Sequence, residues 1–452
     1  MEGAVNSTAE VLPSEVLETI FSYCTHRDLV LSIQNVCSRW RELVQTTRLW
    51  KNVVYCPGED ASSEEVVEML KISPKLQNII FKVKCDDRVL QAITDNCAEL
   101  RKLQISGLPD LDLKFIKNLQ ENCPKVEHMS IPHPVLTDLD KCEVVGRFTN
   151  LRVLLLTGSP VTRFLINLKP VADHCKELEQ LVFENAKFEI NDLNYLLCMR
   201  KGTLHTLGVC CCNESGECVL PAVSLCKLKS LSLFNYWHCH RHHKKIEHFG
   251  QLKTVRVLKI GNLWGVTSDH IKQIFENENM RQLVELSIRY SRYFGDNVIE
   301  VIVRNCPLLR NLTVKSCRKM TDASLKIMCN FKELNYLCIH GNNCVTDTGI
   351  FHLRDVQGLN CLRIGWCRRL TKVGLGNIAQ LSTLRYLSLE WQNLAEFPWD
   401  LILRHMRYLR CLGIYHCRNV DICAIEKLKT DLPYLNVDGI KVLEDCTSEA
   451  CL

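Results

Sequence analysis

Cysteine and histidine side chains are concentrated at positions 210–218 and 238–243 of this 452-residue chain. They are Cys210, Cys211, Cys212, Cys218, His238, Cys239, His240, His242 and His243. Four thiolate or imidazole ligands can hold Zn²⁺ in a tetrahedral site, so these residue types could build one. Their spacing fits no regular zinc-binding pattern and no C-x-x-C pair occurs, so we predict no metal site and no cofactor. Zinc analysis of the purified protein decides between a metal site and a basic, solvated loop beside structural cysteines.

Known catalytic motifs do not occur in the sequence. It has no G-x-S-x-G, no glycine-rich phosphate loop and no H-E-x-x-H. The net charge of +5 is small for this length, and no run approaches the ~18 apolar residues that span a bilayer. We therefore expect a non-enzymatic protein that binds neither nucleic acid nor membrane. The first residues lack the basic region and apolar run of a secretory signal, which predicts a reducing, cytoplasmic or nuclear location.

A regular repeat occupies most of the chain. Fourteen times an apolar residue is followed by others at +3 and +5, at intervals of 24 to 28 residues. The repeats start at Leu76, Leu100, Val126, Leu151, Leu178, Leu204, Leu228, Val255, Leu283, Leu309, Leu334, Leu359, Leu384 and Leu409. This period and the L-x-x-L-x-L pattern predict an α/β leucine-rich-repeat solenoid of about 14 repeats. Such an array has one long concave surface, which typically binds another protein.

Each repeat is expected to contain one short strand followed by one helix, which gives a parallel sheet with helices outside. Side chains alternate along a strand, so residues at +2, +4 and +6 face the concave side. Threonine at +12 is expected to cap the helix in several repeats, namely at Thr267, Thr321, Thr346 and Thr371. Cysteines that recur three residues before a repeat start or at +8 are predicted to be structural; they are Cys97, Cys123, Cys175, Cys306, Cys317, Cys367 and Cys417.

The segment before the repeats has a different pattern. It reads LPSEVLETIF from Leu12, then NVCSRW from Asn35, and closes with Leu49-Trp50. The apolar spacing predicts three short amphipathic helices, which bury little surface alone and need a partner. An ordinary helical cap on the repeats is the alternative interpretation of the periodicity.

This segment resembles an F-box, and the cysteine-rich repeats resemble the subtype common in F-box and leucine-rich-repeat proteins. The resemblance implies docking onto the Skp adaptor of an SCF (Skp–cullin–F-box) ubiquitin ligase, and through it onto cullin and RING subunits. The implied adaptor contacts are Leu12, Pro13, Leu17, Ile20, Phe21, Leu29 and Trp40. Some of them, Trp40 especially, could instead serve the core of the motif.

The predicted organisation has five parts. They are a disordered N-terminus (1–10), an F-box (11–50), a linker and partial first repeat (51–75), the solenoid (76–440) and a C-terminal tail (441–452).

The later repeats have the richest concave surface. Exposed Trp, Tyr and Arg together are typical of protein-binding hot spots. The candidate substrate contacts are Arg289, Tyr290, Lys315, Tyr336, His340, Arg363, Trp366, Tyr386, Trp391 and Tyr415. Arginine pairs with carboxylates and phosphates, so an acidic or phosphorylated substrate is expected.

The sequence thus predicts a substrate receptor that leads to ubiquitination and degradation of its partner. A non-degradative interaction scaffold is the alternative.

Overall fold

The computed structural model describes residues 12–46, 48–58, 60–82, 85–106, 108, 110–157, 165–184, 187–210, 223–224, 226–234, 248–263 and 266–437. These residues fall into two compact units, residues 1–206 and 207–452. Strand and helix alternate in both units, which confirms the predicted α/β repeat fold. No helix in the described part of the chain is long and apolar enough to cross a membrane.

The first unit begins with three short helices and continues with strand–helix repeats. Its helices are α1 Ser14–Phe21, α2 His26–Leu31, α3 Ser38–Val44, α4 Ser63–Lys71, α5 Asp87–Asn96, α6 Leu113–Asn122, α7 Leu139–Gly146, α8 Lys169–His174 and α9 Ile190–Met199. Its strands are β1 Val54–Tyr55, β2 Asn78–Phe81, β3 Lys102–Ile105, β4 His128–Pro132, β5 Val153–Thr157, β6 Leu165–Ile166, β7 Gln180–Glu184 and β8 Lys187–Phe188. β1 to β5 and then β7 pair in parallel in sequence order, while β6 pairs with β8.

The second unit repeats the same plan. Its strands are β9 Thr206–Cys210, which starts at the boundary, β10 Ser230–Phe234, β11 Val257–Gly261, β12 Glu285–Arg289, β13 Asn311–Lys315, β14 Tyr336–His340, β15 Cys361–Gly365, β16 Tyr386–Glu390, β17 Cys411–Gly413 and β18 Asn436–Val437. Its helices are α10 Ser268–Phe275, α11 Asp296–Asn305, α12 Asp322–Met328, α13 Asp347–His352, α14 Lys372–Ile378, α15 Trp399–His405 and α16 Ile422–Asp431. Among the described residues, short 3₁₀ helices occur in the first unit at Ile33–Asn35, Leu49–Lys51 and His133–Thr137, and in the second unit at Glu278–Gln282 and Leu353–Asp355.

The repeat positions fall in register from strand to strand. Leu312, Leu337 and Leu362, all at +3, pair directly with one another. All three are fully buried, as are Val314, Ile339 and Ile364 at +5. Burial of one full leucine side chain stabilises a fold by about 2 kcal/mol, so the alternation fixes which face of each strand meets the helices.

Threonines at +12 cap their helices as predicted, and they also join one repeat to the next. Thr346 accepts a hydrogen bond from the N–H of Thr348, and its hydroxyl donates to Asp322 of the preceding repeat over 2.6 Å. Thr371 and Asp347 form the same pair one repeat later. Glycine is required beside this pair: a Cβ on Gly374 would lie 2.2 Å from Asp347 Oδ1.

The recurring cysteines are structural, which confirms the prediction for those named above. Cys97, Cys123, Cys175 and Cys306 end helices, and all four are fully buried. Cys123 Sγ lies 3.3 Å from the carbonyl oxygen of Cys97 in the preceding repeat. Burial raises the pKa of the Cys123 thiol to about 12, so this thiol stays protonated and unreactive at neutral pH.

The three N-terminal helices pack into the first repeat. His26 of α2 is 4% exposed, lies 2.8 Å from the Ser73 hydroxyl and contacts the rings of Trp50 and Tyr55. Tyr55 in turn packs edge-on against Phe81 of β2. Burial lowers the pKa of His26 to about 4. The helical segment and the first repeat therefore share one core.

Candidate binding surfaces

The apolar residues of the N-terminal helices divide into a core and a surface. Leu17, Phe21 and Leu29 are 2%, 2% and 0% exposed, so their side chains build the helical core and cannot be reached by a partner in this conformation. The structure therefore leaves fewer accessible adaptor contacts than the seven predicted from the sequence. Trp40 is half-buried, with its ring edge-on to Phe21.

A separate set of large apolar side chains on these helices faces solvent. Val16 and Ile20 lie one turn apart on α1 and are 42% and 45% exposed. Tyr23, Leu31 and Val36 are exposed as well. Among the predicted adaptor contacts, Ile20 and Pro13 are exposed and Leu12 is half-buried. A small helical segment with so many exposed apolar side chains is typical of a protein-interaction surface.

The predicted substrate contacts also separate by burial. Tyr336 is buried, and it packs with Cys338, Cys361 and the partly buried Tyr386 on the sheet face opposite the helices. Arg289, Lys315 and His340 are half-buried, and the guanidinium of Arg289 lies over the ring of Phe234. Tyr336 and Tyr386 begin their strands, whereas Arg289, Lys315 and His340 end theirs. A partner would reach only parts of these side chains.

Arg363 already has an anionic partner. Its Nη2 lies 2.6 Å from Glu390 Oε1 of the next repeat, and both side chains are largely buried, at 17% and 21% exposure. Burial alone would raise the pKa of Glu390, but the charge and hydrogen bond of Arg363 and the hydroxyl of Ser388 lower it. The two charges thus compensate each other, which argues against Arg363 as the main contact for an acidic substrate.

Four of the predicted substrate contacts are well exposed, and all lie just beyond the last residues of their strands. Tyr290, Trp366, Trp391 and Tyr415 are 58%, 47%, 50% and 49% exposed. Trp366 and Trp391 stack with ring centroids 5.8 Å apart, and Trp391 lies 4.1 Å from the ring of His416. The stacked rings of Trp366, Trp391 and His416 form a continuous aromatic row, which we call the aromatic row below.

The backbone at the aromatic row, and at Tyr290 in an earlier repeat, is in the left-handed region. The residue at +7 has φ of 54° at Tyr290, 51° at Trp366, 57° at Trp391 and 55° at His416. The N–H of the +7 residue extends the hydrogen bonding between neighbouring strands. The N–H of Trp391, for example, donates to the carbonyl oxygen of Tyr415. This conformation costs an L-residue about 1 kcal/mol or more.

Three other repeats place smaller residues at the same position. They are Asn262, Ser316 and Gly341, of which Asn and Gly tolerate positive φ best. Bulky aromatic residues at this position are therefore not there for backbone stability. Strain held at a solvent-exposed position indicates a functional site.

In the first unit, the residues just before the strands form a surface of a different kind. A groove of about 610 Å³ is lined by Arg48, Lys51, Gln77, Glu99, Arg101, Lys125, Glu127 and Arg152. Most of its charges form pairs between neighbouring repeats: Arg101 with Glu127, Lys125 with Glu99, and Arg152 with Glu179. Because these charges already compensate each other, the groove offers little net attraction to a charged ligand.

The predicted absence of a metal stays a prediction. Except for the strand residue Cys210, the Cys210–Cys218 and His238–His243 cluster lies outside the described residues. Within the described ranges, no three His, Cys, Asp or Glu side chains are grouped closely enough to hold a metal ion.

Comparisons with known proteins agree with this architecture. An F-box-like family model matches residues 9–56. The chain is similar to a chain of the Rad7 and Elc1 complex from yeast, with 16% identity, a TM-score of 0.54, and 98% of this chain and 100% of that chain covered. Weaker likenesses are to an internalin (InlF) of Listeria monocytogenes, with 16% identity, a TM-score of 0.34 and 91% and 93% covered, and to TLR13 in complex with ssRNA13, with 13% identity, a TM-score of 0.42 and 80% and 52% covered.

The chain thus joins an F-box-like domain to a leucine-rich-repeat fold, which confirms the resemblance to F-box and leucine-rich-repeat proteins. This is the general architecture of an F-box substrate receptor, and it is typical of non-catalytic proteins. The F-box-like domain implies an adaptor protein as partner.

Proposed function

We propose that this protein is the substrate-recognition subunit of an SCF-type ubiquitin ligase. The F-box-like domain binds a Skp adaptor, which connects the chain to cullin and RING subunits, and the later repeats bind a substrate that is ubiquitinated and degraded. The chain forms and breaks no bonds itself; it raises the effective concentration of substrate lysines near a ubiquitin-charged enzyme. The proposed location is the cytoplasm or nucleus.

The observation that supports this proposal best is the exposed apolar surface of the F-box-like domain. Val16 and Ile20 on α1, with Tyr23 after it, present apolar area that the folded chain leaves in contact with water. Their neighbours Leu17 and Phe21 are fully used in the core, so α1 has one structural and one unpartnered face. An adaptor that covers the second face gains the hydrophobic energy that folding leaves unused.

The test is a pull-down with point variants of the full-length chain. Deletion of residues 12–50 is unsuitable, because it would remove Trp50 and expose Tyr55 and Ser73, against which His26 now packs. Val16→Asp with Ile20→Asp changes only exposed positions and should abolish co-purification of the Skp adaptor and cullin. Leu139→Asp on α7, where the native leucine is 69% exposed, is the matched control and should leave capture intact.

The same experiment identifies the adaptor. The yeast neighbour was crystallised as a complex of Rad7 and Elc1, so a probe for an elongin C-type adaptor is included beside the Skp probe. Recovery of that adaptor in place of Skp would replace the SCF assignment with another ligase class. Recovery of neither adaptor by the unaltered chain would leave the non-degradative scaffold as the function.

A further inference from the structure

The segments that follow the strands of the later repeats have an unusual charge composition. We define the carboxyl edge as residues 290–294, 316–320, 341–345, 366–370, 391–395 and 416–420, which are positions +7 to +11 of six consecutive repeats. These thirty residues contain six Arg or Lys and no Asp or Glu. The cations are Arg292, Arg318, Lys319, Arg368, Arg369 and Arg418, and all six are exposed.

Nearby carboxylates do not neutralise these cations. Within the described part of the chain, none of the six forms an ion pair. The acidic residues that flank the edge in sequence have other partners. Asp296, Asp322 and Asp347 accept hydrogen bonds from threonines, Asp421 accepts one from the N–H of Ala424, Glu390 pairs with Arg363, and Glu396 pairs with Lys372. The six cations of the edge are therefore not paired with carboxylates of the described chain and can meet an anionic partner.

Aromatic rings lie among the cations. The guanidinium of Arg368 lies 5.6 Å from the ring centroid of Trp366, and the ammonium of Lys319 lies 5.0 Å from that of Tyr293. Cation–π contacts of this kind hold a charged side chain near the surface without consuming its hydrogen-bond donors. The donors of Arg368 and Lys319 remain available for an anionic partner.

From this combination we propose that the carboxyl edge binds an extended segment of a partner protein that is rich in Asp and Glu. The inference deepens the proposed function by naming the chemistry of the substrate, and it depends on that function only for the bound protein being a substrate. The carboxylates pair with the six cations, and the apolar side chains of the segment pack on the aromatic row.

The distribution of the cations favours an extended acidic segment over one phosphorylated residue. Strands in a sheet are ~4.8 Å apart, so the repeats from Arg292 to Arg418 extend over roughly 24 Å. A single phosphate needs several donors converging on one point. About seven or eight residues of extended chain cover the same length as the edge.

The aromatic row argues against single-stranded nucleic acid. Bases bind to proteins by stacking on open ring faces. In the row, Trp366 and Trp391 lie face to face with an interplanar angle of 24°, and Trp391 also faces His416. The faces that these rings turn toward one another are occupied, so a base cannot stack between them, whereas the apolar side chains of a peptide can pack along the row.

The experiment measures binding of a fluorescein-labelled twelve-residue peptide of Asp, Glu and Leu to the full-length chain by fluorescence anisotropy. We expect saturable binding that weakens as salt rises. Arg368→Ala with Arg369→Ala should weaken it at least tenfold, and Arg368→Lys with Arg369→Lys should retain most of it. Trp391→Ala should weaken it about as much as the double alanine variant.

Matched controls separate the edge from overall charge. Lys427→Ala with Lys429→Ala removes the same two charges from the exposed side of α16 and should leave peptide affinity unchanged. Circular dichroism of every variant verifies folding. Equal losses at the two sites, or no saturable binding by the unaltered chain, would overturn the inference. Tighter binding of a labelled twelve-nucleotide single-stranded RNA, lost in the same edge variants, would overturn it as well.

Peptide binding and adaptor capture are read separately. The edge variants should still co-purify the adaptor, since they leave the F-box-like domain unaltered. Peptide binding without adaptor capture would reject the proposed function and retain the carboxyl edge, and adaptor capture without peptide binding would do the reverse.

Discussion

Two aromatic clusters in this chain each include a histidine, and they differ in what covers them. In the first unit, His26, Trp50, Tyr55 and Phe81 are between 1% and 7% exposed and join the F-box-like helices to the first repeat. In the second unit, Trp366 and Trp391 stack beside His416 in open solvent on strained backbone. Similar ring packing therefore stabilises the fold in one place and leaves a surface available for binding in the other.

Charges show the same contrast. At the groove of the first unit, arginines and glutamates of neighbouring repeats pair with each other. At the carboxyl edge of the second unit, only cations are present. The difference teaches that burial and charge compensation, more than residue type, distinguish a structural cluster from a binding surface in a repeat protein. Four predictions test this distinction.

Trp50→Ala should have the largest effect on stability. The indole is 2% exposed, and its Nε1–H donates to the carbonyl of Val44 over 2.6 Å. Loss of a buried tryptophan costs about 3–5 kcal/mol. Trp391→Ala, the matched exposed variant, should cost less than about 1 kcal/mol, because the ring leaves no cavity. Urea unfolding followed by circular dichroism gives both values, and equal losses would contradict the contrast.

Acid should weaken the buried cluster through His26. Its pKa is about 4 in the folded chain, whereas the unfolded chain takes up the proton near pH 6.5. Stability is therefore complete above pH 6.5 and declines as pH falls towards 4, by roughly 3 kcal/mol in total. His26→Phe cannot be protonated, so this part of the pH dependence should disappear. Urea unfolding measures the free energy of unfolding of both proteins between pH 6.5 and 4. The same change with pH in both proteins would contradict this prediction.

At position 391 the glycine variant should be more stable than the alanine variant, which is the reverse of the usual order. The left-handed backbone of Trp391 costs alanine about 1 kcal/mol but costs glycine little, so Trp391→Gly should be the more stable variant by about 1 kcal/mol. At the exposed helical position Glu300 the usual order should hold, with alanine more stable by about 1 kcal/mol. Thermal unfolding of the four variants measures both differences. The same order at both positions would remove the argument from strain.

The paired charges of the groove should have the smallest effect. Arg101 and Glu127 are 44% and 26% exposed, and pairs of this kind contribute at most about 1 kcal/mol. A double-mutant cycle with Arg101→Ala and Glu127→Ala should therefore give a coupling energy below that value. A coupling above about 2 kcal/mol would mean that these charges do more than compensate each other.

The repeat period was sufficient to predict the strands, the buried positions and the threonine caps. Each depends on neighbours within a few residues, or on a register that every repeat shares. Leu362 could be placed in the core and Thr371 at a helix start because their offsets from Leu359 recur in other repeats. The link from Thr371 to Asp347 joins two repeats and was not predicted.

The binding surfaces were predicted less well. Leu17 and Ile20 have similar apolar character, and helical periodicity does not tell which of them meets the core of the segment. Arg363 could not be paired with Glu390 from its own repeat, since the partner lies 27 residues away. The six cations of the carboxyl edge were missed, although four of the six repeats place Arg at +9. Asn and Gly at +7 of other repeats were a signal for the left-handed position.

The hydrogen bond between threonine and aspartate is the same in successive repeats, so one 25-residue repeat can take the place of another. Repeats starting at Leu309, Leu334, Leu359 and Leu384 are 25 residues apart. Removal of residues 334–358 would bring Asp322 opposite Thr371, the same pair of side chains that Asp322 and Thr346 form now. Whole repeats could thus be lost or gained during evolution with every such bond remade, so the reach of the surface on a partner can change while the fold stays the same.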